Sequence, residues 1–118
     1  MTELKTGSAL IPSARKEGEA VLATLKGEID LHNSPEVRGV LLQFLETHKP
    51  KKLILNLAQV PYMDSSAIAV LVESLQKIRK LGGKIFLTGL QPRVKGLLEI
   101  ARLDTIFNVV ASDDDALK

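Results

Sequence analysis

The 118-residue chain contains no cysteine and no tryptophan. Without thiols there is neither a disulfide framework nor a thiolate zinc site, and the composition agrees with a reducing, cytoplasmic compartment. The two histidines, His32 and His48, lack metal-ligand spacing, so no metal site is expected. Aromatic residues make up only 3%. Arg93 and Lys95 therefore read as solvated helix charges without a stacking platform for nucleic acid. Sixteen basic against fourteen acidic residues leave a net charge of only +2, too little for the long-range attraction that nucleic-acid binding relies on. No run approaches the roughly 18 apolar residues that span a bilayer, and Met1–Ala9 has no apolar block behind positive charge. Direct nucleic-acid binding, membrane insertion and export are not expected.

What is present is the balance of a soluble globular protein, with 45% hydrophobic and 25% charged residues, in a length that fits one core. Residues 1–8 are polar and read as a loose N-terminal leader, leaving 9–118 as a single domain. Ala9–Ala14 reads as a short strand, and Arg15-Lys16-Glu17-Gly18 as the turn into a second strand, Ala20–Leu25. Ser34-Pro35-Glu36 has the order of a helix start: a capping hydroxyl, a proline at the first helical position and an early acid. Val37, Val40, Leu41, Phe44 and Leu45 continue it at helical spacing to about Thr47.

Lys52–Leu57 is a short apolar run typical of a strand buried inside a sheet. From Ser65 to Leu81, Ile68, Leu71, Val72, Leu75 and Ile78 are expected to form a core face, and Gly82-Gly83 supplies the stop. Lys84–Thr88 reads as a strand and Pro92–Ala101 as a helix. Ile106–Val110 reads as a last strand, and Ser112 with Asp113-Asp114-Asp115 as the cap of a brief terminal helix. Strands joined through helices lie parallel with right-handed crossovers, so the sheet is expected to be mixed, with a hairpin at its start. The expected architecture is α/β, with four to five strands packed against about four helices.

Pro61–Leu71 carries the chain from a buried strand through a turn into a helix. It places Asp64, Ser65 and Ser66 where the first backbone N–H groups of that helix lack partners. A side-chain oxygen there caps the helix. The same N–H groups and the positive dipole end also favour an added anion. A phosphate would bring about −1.5 to −2 charges next to Asp64, which a docked partner would feel more than the fold. No histidine neighbours Ser65, and no acid–base pair, metal cluster or phosphate-cradling glycine loop is assembled; Gly82-Gly83 follows a helix instead of opening one. Enzymatic activity, a cofactor and a small-molecule substrate are not expected, and on these residues alone the hydroxyls read first as helix caps.

Asn56-Leu57, a spacer, then Tyr62-Met63-Asp64-Ser65-Ser66 ahead of an apolar helix resembles the phosphorylation signature of bacterial anti-sigma factor antagonists of the STAS family. Gly27-Glu28-Ile29-Asp30 is similar to that family's loop after the second strand, and Lys80-Leu81-Gly82-Gly83-Lys84 to its helix exit. The three stand in register from about residue 15 to the C-terminus. The resemblance implies a STAS-type fold in which an anti-sigma factor that is also a serine kinase phosphorylates Ser65, with Ser66 as the secondary candidate. It further implies that a PP2C-like phosphatase reverses the modification, and that the unphosphorylated form captures the anti-sigma factor and frees a sigma subunit.

By the same resemblance, Gly27, Glu28 and Asp30 lie on the partner-binding rim beside Met63, Asp64, Ser65 and Ser66. Ala67, Val70 and Ser74 are expected to one side of the helix core face, in reach of the partner. Read without it, Gly27–Leu31 is equally a turn leading to the capped helix, Met63 suits core filling, and Ser66 suits the first helical turn. Ala67 departs from the family pattern, which places glycine there; an outward methyl would crowd a kinase. STAS subunits that regulate the ATPase of lipid-transporting ABC systems resemble the chain as well and offer an alternative role.

Overall fold

A computed structural model describes all 118 residues. Its frame is a six-stranded sheet in sequence order: β1 (Thr2–Glu3), β2 (Ser13–Glu17), β3 (Ala20–Lys26), β4 (Lys52–Gln59), β5 (Lys84–Thr88) and β6 (Asn108–Val110). β1, β2 and β3 pair antiparallel, and β3 through β6 run parallel. Four helices complete the fold: α1 (Ser34–His48), α2 (Ser65–Lys80), α3 (Pro92–Ile100) and α4 (Asp113–Leu117).

Sidedness follows from strand alternation. Val21, Ala23 and Leu25 of β3, Leu53, Leu55 and Leu57 of β4, and Ile85 and Leu87 of β5 join one core with Val37 and Leu41 of α1, Leu71 and Ile78 of α2, and Val94 and Leu98 of α3. The opposite face carries a small cluster of Ala20, Leu22 and Ile54 under Ala116 of α4. The parallel crossovers thus put α1–α3 on one side and leave α4 alone on the other.

The sheet has six strands instead of the expected four to five because the stretch expected as a leader contributes one. Thr2 and Glu3 pair with Lys16 and Arg15, and the following residues are tied down by a hydrogen bond from Thr6 Oγ1 to the Ile11 carbonyl (2.6 Å) and by the fully buried Ile11. The hairpin is also displaced from its expected place. Arg15–Glu17, expected in the turn, belong to β2, and only Gly18-Glu19 connects the paired Glu17 and Ala20. Gly18 has φ +59°, the left-handed conformation that such two-residue loops demand. Ser34 is not a cap: Asn33 occupies that position without a side-chain cap bond, and Ser34 is buried at the start of α1. The last strand is three residues long instead of five.

Candidate functional site

Because β3 and β4 are parallel, the loops after them emerge at the same end of the sheet, where α1 and α2 begin. The two loops are stitched together. The Gly27 N–H donates to the Gln59 carbonyl (2.9 Å), Ile29 N–H to Tyr62 (3.1 Å) and Asp64 N–H to Ile29 (3.2 Å), with Ile29 and Met63 pairing as a parallel bridge. Ile29 and Met63 are buried, so this bridge forms the floor of the rim.

Asp64 is the junction of the rim. Its Oδ1 accepts from the Ser66 N–H (3.0 Å), the Ala67 N–H (3.2 Å) and the Ser66 hydroxyl (2.5 Å). Its Oδ2 accepts from the Leu31 N–H (2.9 Å). One oxygen caps α2 and the other holds the preceding loop. The Ser66 hydroxyl is the largest influence on the Asp64 carboxyl and holds it below the usual carboxylate range; desolvation comes next and opposes it, and the Ala67, Leu31 and Ser66 backbone donors add to the lowering.

Asp30 and Asn33 form a second clasp. The Asp30 N–H donates to Asn33 Oδ1 (2.8 Å), and Asp30 Oδ1 accepts from the His32 and Asn33 N–H groups (2.9 and 3.2 Å). Asp30 therefore shapes the turn into α1 at the edge of the rim. Glu28 is exposed beside it, and Gly27, at φ +88°, takes the left-handed turn that leaves β3.

The two serines differ. Ser65, the first residue of α2, is exposed, and its hydroxyl takes part in no hydrogen bond within the chain; the hydroxyl of the half-buried Ser66 is committed to Asp64. Four of the expected partner contacts lie inside instead: Met63 (1% exposed), Ala67 (2%), Val70 (7%) and Ser74 (0%). Ala67 and Val70 belong to the main core, and the Ser74 hydroxyl donates to the Val70 carbonyl within the helix (2.9 Å). The reason is rotational. Small residues face the interior where α2 lies close to its neighbours, and Ile68 and Val72, expected in the core, are rotated to its half-exposed flank. The Ala67 methyl consequently points away from anything approaching Ser65.

Three features escape the sequence reading, two at the rim and one between α1 and α2. Leu31, 69% exposed, stands on the loop held by Asp64. The Arg93 guanidinium lies 4.5 Å from the centre of the Tyr62 ring, so a residue expected as a plain solvated charge stacks at the rim. Arg38 of α1 makes a two-pronged ion pair with Glu73 of α2 (2.6 and 2.7 Å). Only the aliphatic exposure of Leu31 beside Asp30 carried a signal in the sequence; the other pairings join residues 31 or more positions apart.

Fold and rim together define an α/β domain in which two clamped loops frame an exposed helix-start serine. The chain belongs to the STAS domain family, whose pattern matches residues 12–116. It is 28% identical over 98 residues to an anti-sigma-B factor antagonist of Bacillus subtilis, covering 83% of this chain and 88% of that protein. An anti-sigma factor antagonist from Mycobacterium paratuberculosis superimposes with a TM-score of 0.79 at 21% identity, covering 98% of this chain and 90% of that one. The Bacillus cell fate determinant SpoIIAA in its phosphorylated form superimposes with a TM-score of 0.70 at 19% identity, covering 88% and 94%. No helix is long and apolar enough to cross a membrane.

Proposed function

We propose that the chain is an anti-sigma factor antagonist whose rim docks an anti-sigma factor with serine kinase activity, and that phosphorylation of Ser65 switches this docking off. The observation that carries the reading is the exposed, uncommitted Ser65 hydroxyl beside the Asp64 carboxylate that caps α2. Asp64 already occupies the Ser66 and Ala67 N–H groups, so a phosphate on Ser65 adds its charge next to an existing anion. The helix end tolerates that charge through its dipole. A partner that must desolvate both anions does not, and losing such a contact costs on the order of 2–5 kcal/mol, about 30-fold to several thousand-fold in affinity.

Relatives named anti-sigma factor antagonists match over most of their own length, whereas a putative sulfate transporter of Bacillus subtilis, 35% identical, carries the matching stretch as 16% of its length, which favours the sigma-factor role for a chain of this size. The phosphorylated fold neighbour is compatible with a modified state of this architecture. A PP2C-like phosphatase completes the cycle by removing the phosphate. Incubation with ATP and the cognate anti-sigma kinase, followed by peptide mapping, tests the modification. A single phosphate on Ser65 is expected, and a phosphate on Ser66 alone, or none, contradicts the reading.

A further inference from the structure

The net charge of +2 conceals an uneven distribution. The parallel topology gathers the ends of α1 and α2 and the starts of β4 and β5 at the end of the molecule opposite Ser65. Lys49, Lys51, Lys77, Arg79, Lys80 and Lys84, all exposed, stand there. Only Lys77 has an acidic partner, Glu46 at 4.0 Å; the exposed Glu19 sits on the adjoining turn, where its backbone carbonyl accepts from the Lys51 N–H (2.7 Å). The sixteen residues of α2, at about 1.5 Å per residue, separate Lys80 from Ser65 by roughly 22 Å.

Lysines at helix C-termini complement the helix dipole, which accounts for Lys77 and Lys80 but not for Lys51 and Lys84 at the starts of strands. These are fixed on a rigid seam, since the Lys84 N–H donates to the Lys51 carbonyl (2.8 Å). Gly83 is packed so closely that a Cβ there would sit 2.9 Å from the carbonyl oxygens of Pro50 and Lys51. Between the helix ends lies an open groove of about 340 Å³, with the half-buried Leu81 over the buried Leu45 at its base and Lys49, Lys77, Lys80 and Glu46 around it.

A base of Leu81 and lysine methylenes, ringed by three ammonium groups against the single Glu46 carboxylate, matches an amphiphile that carries a negative head. Nucleic acid is matched less well, because the patch has one arginine among five lysines and no aromatic residue, and so lacks bidentate and stacking contacts. We propose that this end of the domain docks on an anionic phospholipid surface, with the lysines facing the head groups and the Leu45–Leu81 groove receiving the glycerol end of a lipid. Binding is peripheral and electrostatic, and it leaves the Ser65 rim facing away from the bilayer.

Co-sedimentation with vesicles of phosphatidylcholine containing about 30% phosphatidylglycerol tests this. Binding is expected at about 50 mM salt and release at about 300 mM, because the Debye length shrinks. Each basic residue near such a surface is worth roughly fivefold in affinity, so Lys49→Gln/Lys80→Gln/Lys84→Gln should bind about 100-fold more weakly. Lys26→Gln/Lys95→Gln, at the opposite end, should bind as the parent does. Absence of binding to anionic vesicles at low salt overturns the proposal without recourse to any variant. Equal binding to pure phosphatidylcholine, full affinity of the triple variant, or tighter binding to duplex DNA at equal phosphate concentration also overturns it.

Discussion

The Asp64 carboxylate and the Leu31 backbone N–H meet at 2.9 Å, which couples the start of the serine-bearing helix to a loop whose side chain projects into solvent. The same carboxylate caps α2, so one residue governs both parts of the rim. The helix start and the loop, 33 positions apart in sequence, thus share one anchor.

The acid limb of stability should reveal this carboxylate. Its pKa is depressed in the folded chain, chiefly by the Ser66 hydroxyl. Its contribution is therefore fully present above the unfolded value of about 3.9 and is lost as pH falls through the lower folded value. Urea unfolding of the parent and Asp64→Asn as a function of pH should show the parent's advantage near neutrality shrinking below about pH 4. An advantage that stays constant to the acid end would mean the carboxylate is not held as described.

Ser66→Ala should raise the acid midpoint of Asp64 toward the ordinary carboxylate range and lower the urea midpoint, whereas Ser65→Ala should change neither. NMR titration of the Asp64 side chain reads the first effect. Identical titrations in the two variants would contradict the division of labour between the serines.

Met63→Ala should cost about 2–5 kcal/mol of stability, as large-to-small core substitutions do. Partner affinity of the folded protein should remain that of the parent. Chemical denaturation and calorimetric binding at saturating fold separate the two readouts, and a binding loss without a stability loss would return Met63 to the interface.

Leu31→Ser should behave in the opposite way. An exposed substitution of this kind shifts stability by no more than about 0.5 kcal/mol. As the exposed apolar side chain on the clamped loop, Leu31 is expected to anchor the partner, with a loss of at least about tenfold in affinity. Unchanged affinity would remove the loop from the docking surface.

The helices α1 and α2 and the strands β4 and β5 were readable because period and length agree at those positions: Leu53, Leu55 and Leu57 alternate into the core, and Val37, Leu41 and Leu45 recur at helical spacing. The rotation of α2 was not readable. Its apolar stripe is wide enough to admit two settings, and Ala67 and Ser74 win the interior through close packing, which bulk alone does not reveal. The β1 strand was missed because a two-residue edge strand of Thr2 and Glu3 has no apolar pattern to betray it. At the rim, Asp64 and Ser65 were legible from capping chemistry. The Ile29–Met63 bridge and the Arg93–Tyr62 stack were not, because each forms only once distant segments have been brought together.

The most direct test of the account compares the unmodified chain with the Ser65-phosphorylated chain in calorimetric titration against the anti-sigma kinase. The account predicts tight binding by the first, binding at least about 30-fold weaker by the second, and similar thermal midpoints for both. Equal affinity of the two forms, or unfolding of the phosphorylated one, would contradict it.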